Sequence, residues 1–154
     1  MSFSHESLNV YQRTLTFNAK VCAWTGQWNR KYAISDQLFR AAESMLENIA
    51  MASAAFSAMK TRSVDYAIGS SLESAACLDL ARIKRLLEKN LVYAEKEELS
   101  QILRMLVGLR KSWVKAIPGV GEDREEYKME LAPDKAYDKA YDKVLRTNHA
   151  GHTH

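Results

Sequence analysis

Residues 34–59 carry apolar side chains at alternating intervals of four and three residues. This spacing places those side chains along one side of a single long helix, in the heptad pattern by which helices pack on one another. A second apolar set lies beside the first, so the predicted buried face is wide, as in a core helix of a bundle. The first set is Leu38, Ala42, Met45, Ile49, Ala52, Phe56 and Met59, and the second is Phe39, Leu46, Ala50 and Ala54.

Similar spacing predicts three further helices, over residues 6–24, 61–90 and 95–116. The chain has only two prolines, and the first is Pro118, so little interrupts helices before that residue. Short connections between four helices favour antiparallel neighbours. The predicted fold is an all-α, antiparallel up-down four-helix bundle over residues 1–116. A charged C-terminal tail at 117–154, partly helical or disordered, is expected to follow it.

The third predicted helix has two lines of small or apolar side chains about 100° apart. We interpret one as the core line. The other ends in basic residues, which fits either a subunit contact with a charged rim or the preference of cations for helix C-termini. Helix one also carries two apolar stripes, and this surplus apolar surface predicts an oligomer. The core line is Ile68, Leu72, Ala76, Leu80, Ile83 and Leu87, and the other is Val64, Ser71, Ala75, Leu78, Arg82, Arg85 and Lys89.

Charge is distributed unevenly along the chain. Residues 1–116 contain 16 Lys and Arg against 11 Asp and Glu, whereas residues 117–154 contain 6 against 8. A basic bundle favours an anionic partner, and RNA or DNA is the predicted one. Basic residues are expected to gather at both ends of the bundle without interleaved exposed aromatics, which predicts phosphate contact and not base stacking.

The basic residues fall into three sets, and all of them except Lys60, Arg62 and Arg110 are candidate nucleic-acid-binding residues. Those expected at one end are Arg30, Lys31, Arg40, Arg82, Lys84, Arg85 and Lys89. Those expected at the other end are Lys60, Arg62, Arg110, Lys111 and Lys115. On helix four, Arg104, Lys111 and Lys115 share an outward line, for which a solvated face and a binding stripe both stay open.

Catalytic motifs are missing from the sequence. There is no glycine-rich phosphate loop, nucleophile elbow or zinc-type Cys/His spacing, so we expect no enzyme activity, no catalytic residue, no cofactor and no metal site. Glu43 and Glu47 lie one turn apart, but no Glu-x-x-His motif accompanies them. The histidines at 149, 152 and 154 belong to the tail, where adventitious metal affinity is the simpler explanation.

The sequence also predicts the cellular compartment of the protein. No apolar run approaches the roughly 18 residues that span a membrane, and the N-terminus lacks the order of a signal peptide. We therefore expect a cytoplasmic protein without membrane contact. Cys22 and Cys77 lie on apolar helix faces and are predicted to be buried thiols, not a disulfide.

Four short motifs stand out along the predicted bundle. They are Phe3-x-His5-Glu6-x-Leu8-x-Val10-Tyr11-Gln12, Gln37-Leu38-x-Arg40-Ala41-Ala42-x-Ser44, Asn48-Ile49-Ala50 and Ala67-x-Gly69-Ser70-x-x-Glu73. In these motifs the chain resembles the small four-helix-bundle proteins encoded by intervening sequences in bacterial 23S ribosomal RNA genes. That superfamily includes the accessory variability determinants of diversity-generating retroelements, and residues 71–79 resemble this branch more closely. The resemblance covers about residues 3–113.

The resemblance implies a homopentameric barrel of bundles that binds nucleic acid. In the retroelement branch it also implies a partnership with a reverse transcriptase and its template RNA. Met51 and Ala52 stand where the family usually has Glu-Gly, which favours an uninterrupted helix two and puts the role of that acidic residue in doubt. Two alternatives remain: an intervening-sequence bundle protein of another role, and a pure protein–protein adaptor.

Overall fold

The computed structural model describes residues 2–29, 31–55 and 57–115. A short 3-10 helix at Ser4–Ser7 precedes four α-helices: α1 (Asn9–Thr25), α2 (Ala33–Ala54), α3 (Ser57–Ile83) and α4 (Lys89–Lys115). Each helix packs against the next in the chain, and α4 closes against α1. This arrangement confirms the predicted all-α, antiparallel four-helix bundle. No helix within the described ranges is long and apolar enough to cross a membrane.

Ion pairs between α1 and α4 show the antiparallel direction directly. Arg13, early in α1, binds Glu98 with two N–O distances of 2.7 and 2.8 Å, and it also donates to Gln101. Later in α1, the Lys20 ammonium lies 2.7 Å from the carboxylate of Glu95, earlier in α4. The order of contacts along one helix is thus reversed along the other.

The apolar side chains at the heptad positions of α2 are buried as predicted. Leu38, Ala42, Met45 and Ile49 are at most 2 % exposed. The helix runs through Met51 and Ala52 without interruption, as expected from the missing Glu-Gly pair.

The predicted end of helix two is wrong. The helix ends at Ala54, because Ala55 adopts extended backbone (φ −80°, ψ 156°), and α3 begins at Ser57. Met59 therefore belongs to α3 and is 60 % exposed, while Phe56 lies outside the described residues. The φ of Ala55 is negative, a conformation open to any residue, so the helix end needs no glycine at this position to mark it in the sequence.

The predicted core line of α3 is also wrong. Of its described members only Ile68 is fully buried, whereas Leu72, Leu80 and Ile83 are 42–48 % exposed. The helix is rotated relative to the prediction. Its buried face includes Val64, Ser71 and Leu78, from the line interpreted as a second contact surface, together with Ala67, Ser74 and Ala81.

Buried serines explain the rotation of α3. The Ser71 hydroxyl donates to the Ile68 carbonyl at 2.8 Å, and the Ser74 hydroxyl donates to the Ser70 carbonyl at 2.9 Å. A hydroxyl bonded to its own helix can be buried without leaving an unpaired polar group. Apolar periodicity counts serine as a surface residue and therefore selected the wrong face.

The remaining helix boundaries differ from the predictions at the α3–α4 connection. The third helix was expected to reach residue 90 and the fourth to begin at 95, but α3 ends at Ile83 and α4 begins at Lys89.

Of the two cysteines, Cys77 is buried as predicted, whereas Cys22 is exposed, because the stripe of α1 that carries it faces outward.

Candidate nucleic-acid interface

Two connections meet at one end of the bundle, which we call the connection end: residues 26–32 between α1 and α2, and residues 84–88 between α3 and α4. The clearest sign of their meeting is Lys84, whose ammonium lies 5.9 Å from the centre of the Tyr32 ring. Sequence analysis placed Lys31, Lys84, Arg85 and Lys89 at the same end, and the bundle brings their segments together. Arg30 lies outside the described residues.

The Tyr32 ring has two lysines beside it. Lys31 approaches the ring centre to 5.6 Å and Lys84 to 5.9 Å, one from each connection. The electron-rich face of an aromatic ring attracts an ammonium group. Because the ring carries no net charge, it positions both lysines without cancelling their positive charge.

A second tyrosine contacts the next pair of cations. The Arg82 guanidinium lies 5.2 Å from the Tyr93 ring centre and donates to the Tyr93 hydroxyl at 3.1 Å, and the Lys89 ammonium lies 5.5 Å from the same ring. Arg82, a predicted nucleic-acid-binding residue, is thus engaged with Tyr93 on α4. The two tyrosines that contact these cations, Tyr32 and Tyr93, are half-buried, so they do not contradict the expectation that no exposed aromatics are interleaved here.

Arg85 occupies a backbone conformation that favours glycine. Its φ is 58°, and two hydrogen bonds surround it: Arg85 N–H to Arg82 C=O and Leu86 N–H to Ala81 C=O, both 2.9 Å. These bonds define a Schellman motif that closes α3, with Arg85 at the left-handed position. A non-glycine residue costs about 1 kcal/mol or more in that conformation. The chain thus presents an exposed guanidinium at the connection end at the expense of backbone strain.

Acidic groups offset part of the positive charge here. Arg40 was predicted to bind nucleic acid, but it is exposed and pairs with Asp36 one turn earlier at 3.0 Å. Glu88 is also exposed in the α3–α4 connection. The connection end therefore remains basic, with its excess charge on the lysines at Tyr32 and on Arg85.

At the opposite end of the bundle, several of the basic residues have side-chain partners. Arg110 pairs with Asp65 on α3, and Arg62 donates to the hydroxyl of Tyr66 at 3.1 Å. The Lys60 ammonium lies 4.6 Å from the Trp113 ring centre, which ties the start of α3 to the end of α4. Lys111 is exposed, and the side chain of Lys115 lies outside the described part of α4.

On the outward line of α4, Arg104 donates to the Ser100 hydroxyl at 3.1 Å and lies 4.0 Å from the Glu97 carboxylate. The line therefore includes a compensated charge, which favours a solvated face over a binding stripe.

The contacts between α1 and α4 have a structural role that sequence analysis missed. The hydrogen bond from Arg13 lowers the pKa of Glu98 below its usual value, and the same contact raises the pKa of Arg13. Lys96 similarly binds Asp79 across α3 and α4 at 2.8 and 2.9 Å. Charge sign along each helix does not reveal these partners, since they are far apart in sequence.

Comparison with known proteins places this bundle in a family. The family model of the 23S rRNA-intervening sequence protein matches residues 6–108. A comparison with curated protein sequences gives no match. A solved structure from Bacteroides thetaiotaomicron, described as a protein with unknown function from the S23 ribosomal protein family, has a similar fold with a TM-score of 0.61. It is 19 % identical over 66 % of this chain and 95 % of its own. The chain belongs to the family of 23S rRNA-intervening sequence proteins.

Proposed function

We propose that this protein is a non-catalytic scaffold that binds RNA or DNA through phosphate contacts at the connection end. The observation that carries the proposal is the placement of Lys31 and Lys84 beside Tyr32. Both ammonium groups are positioned by an uncharged ring, so their charge is available to a polyanion. Arg85 adds a third cation from the adjoining connection.

A binding experiment with the full chain tests this function. Fluorescence anisotropy of labelled RNA and DNA should show binding that weakens with salt, at a log–log slope of roughly −0.7 to −0.9 per neutralised phosphate. The variant K31Q/K84Q/R85Q should bind several-fold more weakly and show a flatter slope. A matched variant, K60Q/R62Q/K111Q, removes the same charge from the opposite end and should change binding much less. Equal losses in the two variants would contradict a localised interface.

The residues within 71–79 favour a finer assignment. We propose that the protein is the accessory variability protein that partners the reverse transcriptase of a diversity-generating retroelement and its template RNA. The support is the resemblance of this segment to that branch. Co-purification with a reverse transcriptase encoded beside its gene, dependent on the template RNA, would support the assignment. A gene located within a ribosomal RNA operon would favour the intervening-sequence branch with another role.

We further propose that the protein assembles as a homo-oligomer, with five subunits as the resemblance implies. Outward-facing Leu72, Leu80 and Ile83 form an apolar line on α3 that the bundle itself does not bury. Light scattering coupled to size exclusion should give a pentamer mass for the full chain. L72S/L80S should reduce that mass, whereas F3S, at an exposed site just before the N-terminal 3-10 helix, should not. A monomer at tens of micromolar would contradict the assembly.

The same apolar line favours a second candidate function, a protein–protein adaptor. In that case L72S/L80S abolishes capture of the partner protein, while the charge variant K31Q/K84Q/R85Q has no effect on it. Absence of salt-dependent nucleic-acid binding by the full chain would favour the adaptor.

A further inference from the structure

A cleft opens beside the connection end, between the last turn of α1 and the first turns of α2. Its walls include the half-buried rings of Trp28, Tyr32 and Phe39, and its polar edge includes Ser35 and Asp36. The three aromatic residues also pack against the bundle core, which fixes the walls in place. An aromatic cleft with a few polar groups at its edge is typical of sites that hold a flat ring system.

Cations and acceptors surround this cleft in a pattern that fits one ligand. The ammonium groups of Lys31 and Lys84 lie near the Tyr32 ring, at the cleft wall, where they can contact phosphate. The Asp36 carboxylate can accept a hydrogen bond from an exocyclic amino group, while Arg40, 3.0 Å away, compensates its charge. A flat apolar ring, an amino-bearing edge and an attached phosphate together describe a nucleotide.

We propose that this cleft takes an unpaired nucleobase, so that the protein prefers single-stranded nucleic acid over duplex. The proposal rests on the nucleic-acid-binding function and adds base stacking to it. A base within a duplex is already stacked on its neighbours and cannot enter the cleft, whereas an unpaired base can stack on an aromatic wall. Stacking itself tolerates any base, and the Asp36 contact favours bases with an exocyclic amino group, so the main preference is for single-stranded over duplex nucleic acid.

The test compares a labelled single strand with a duplex that carries the same number of phosphates, using the full chain. The parent protein should bind the single strand at least several-fold more tightly. W28L should bring the ratio of the two affinities close to one and leave duplex affinity within about twofold, since the lysines are retained. F39L is a smaller change in the same cleft and should lower the ratio of the two affinities partially. It tests the same prediction if W28L does not fold. Y66L, at an exposed aromatic of the opposite end, should leave the ratio unchanged.

Three outcomes separate this inference from the proposed function. Equal affinity of the parent for single strand and duplex overturns the base site but leaves phosphate binding intact. An unchanged ratio in folded W28L and F39L also overturns it, because the preference then arises elsewhere. If the parent protein binds neither the single strand nor the duplex, the proposed function and the base site are both overturned.

Discussion

The hydroxyl groups of Ser44 on α2 and Ser70 on α3 lie 2.9 Å apart, joined by a hydrogen bond between the two helices. Ser70 in turn accepts at its carbonyl from the fully buried Ser74. Small hydroxyl side chains thus occupy positions where leucine is usual in a bundle core. The hydrogen bond joins α2 and α3 at a point where both helices carry small side chains.

Substitution at Ser74 tests the register of α3. S74L should lower the free energy of unfolding by about 1–3 kcal/mol, because it adds three carbon atoms to a filled site and removes a satisfied hydroxyl. E73L introduces the same side chain one residue earlier, at an exposed site, and should change stability by no more than about 0.5 kcal/mol. Urea denaturation followed by circular dichroism measures both. If S74L is tolerated and E73L is not, α3 is rotated from the position described.

Arg85 should show opposite effects on stability and on binding. R85G removes the left-handed strain and should raise the free energy of unfolding by about 1 kcal/mol, while RNA affinity falls with the lost charge. R85Q keeps the strain, so it should weaken binding equally without gaining stability. Thermal melting and fluorescence anisotropy on the same samples give the comparison. Full affinity in R85G would exclude a binding role for this residue.

The two thiols should differ in reactivity. Burial, reinforced by the negative charge of Glu73, raises the pKa of Cys77 to about 11. Its thiolate is therefore scarce at pH 8, and its sulfur is also shielded from reagents. Exposed Cys22 should accept one equivalent of Ellman's reagent in the native protein, and Cys77 should react only after unfolding. C22S should then show no fast reaction with the reagent in the native protein. A second thiol that reacts fast in the native parent would contradict the buried position of Cys77.

The Arg13–Glu98 pair should make stability depend on pH. Because the pKa of Glu98 is lower in the folded protein than its ordinary value of 4.5, the pair stabilises the fold fully above that pH. The contribution is lost as pH falls and the folded carboxylate takes up a proton. R13Q should flatten the pH dependence of stability as pH falls below 4.5. R40Q, which breaks the exposed pair with Asp36, should leave that dependence nearly unchanged.

Apolar periodicity was sufficient to predict the four helices and their antiparallel order. It succeeded for α2, where Leu38, Met45 and Ile49 are both apolar and buried. It failed for α3, because burial there depends on hydroxyls that bond to their own backbone, and Ser71 and Ser74 give no apolar signal.

The candidate site could be predicted only in outline. Loop lysines and arginines predicted basic clusters at both ends, because an antiparallel bundle brings alternate connections together. The contact of Lys84 with Tyr32 could not be predicted, since it joins side chains from two separate connections. A tryptophan and a tyrosine within a short polar connection, at 28 and 32, were the available signal for the cleft.

The buried serines of α3 also bear on how the chain selects one fold. A rotation of α3 that buried Leu72 and Leu80 would be favoured by hydrophobicity alone, but it would put leucines where the native bundle holds the smaller Ser71 and Ser74. Overfilling of that space would raise the free energy of the rotated arrangement relative to the native one. Sequences that specify a single structure need such an energy gap to their most similar alternative.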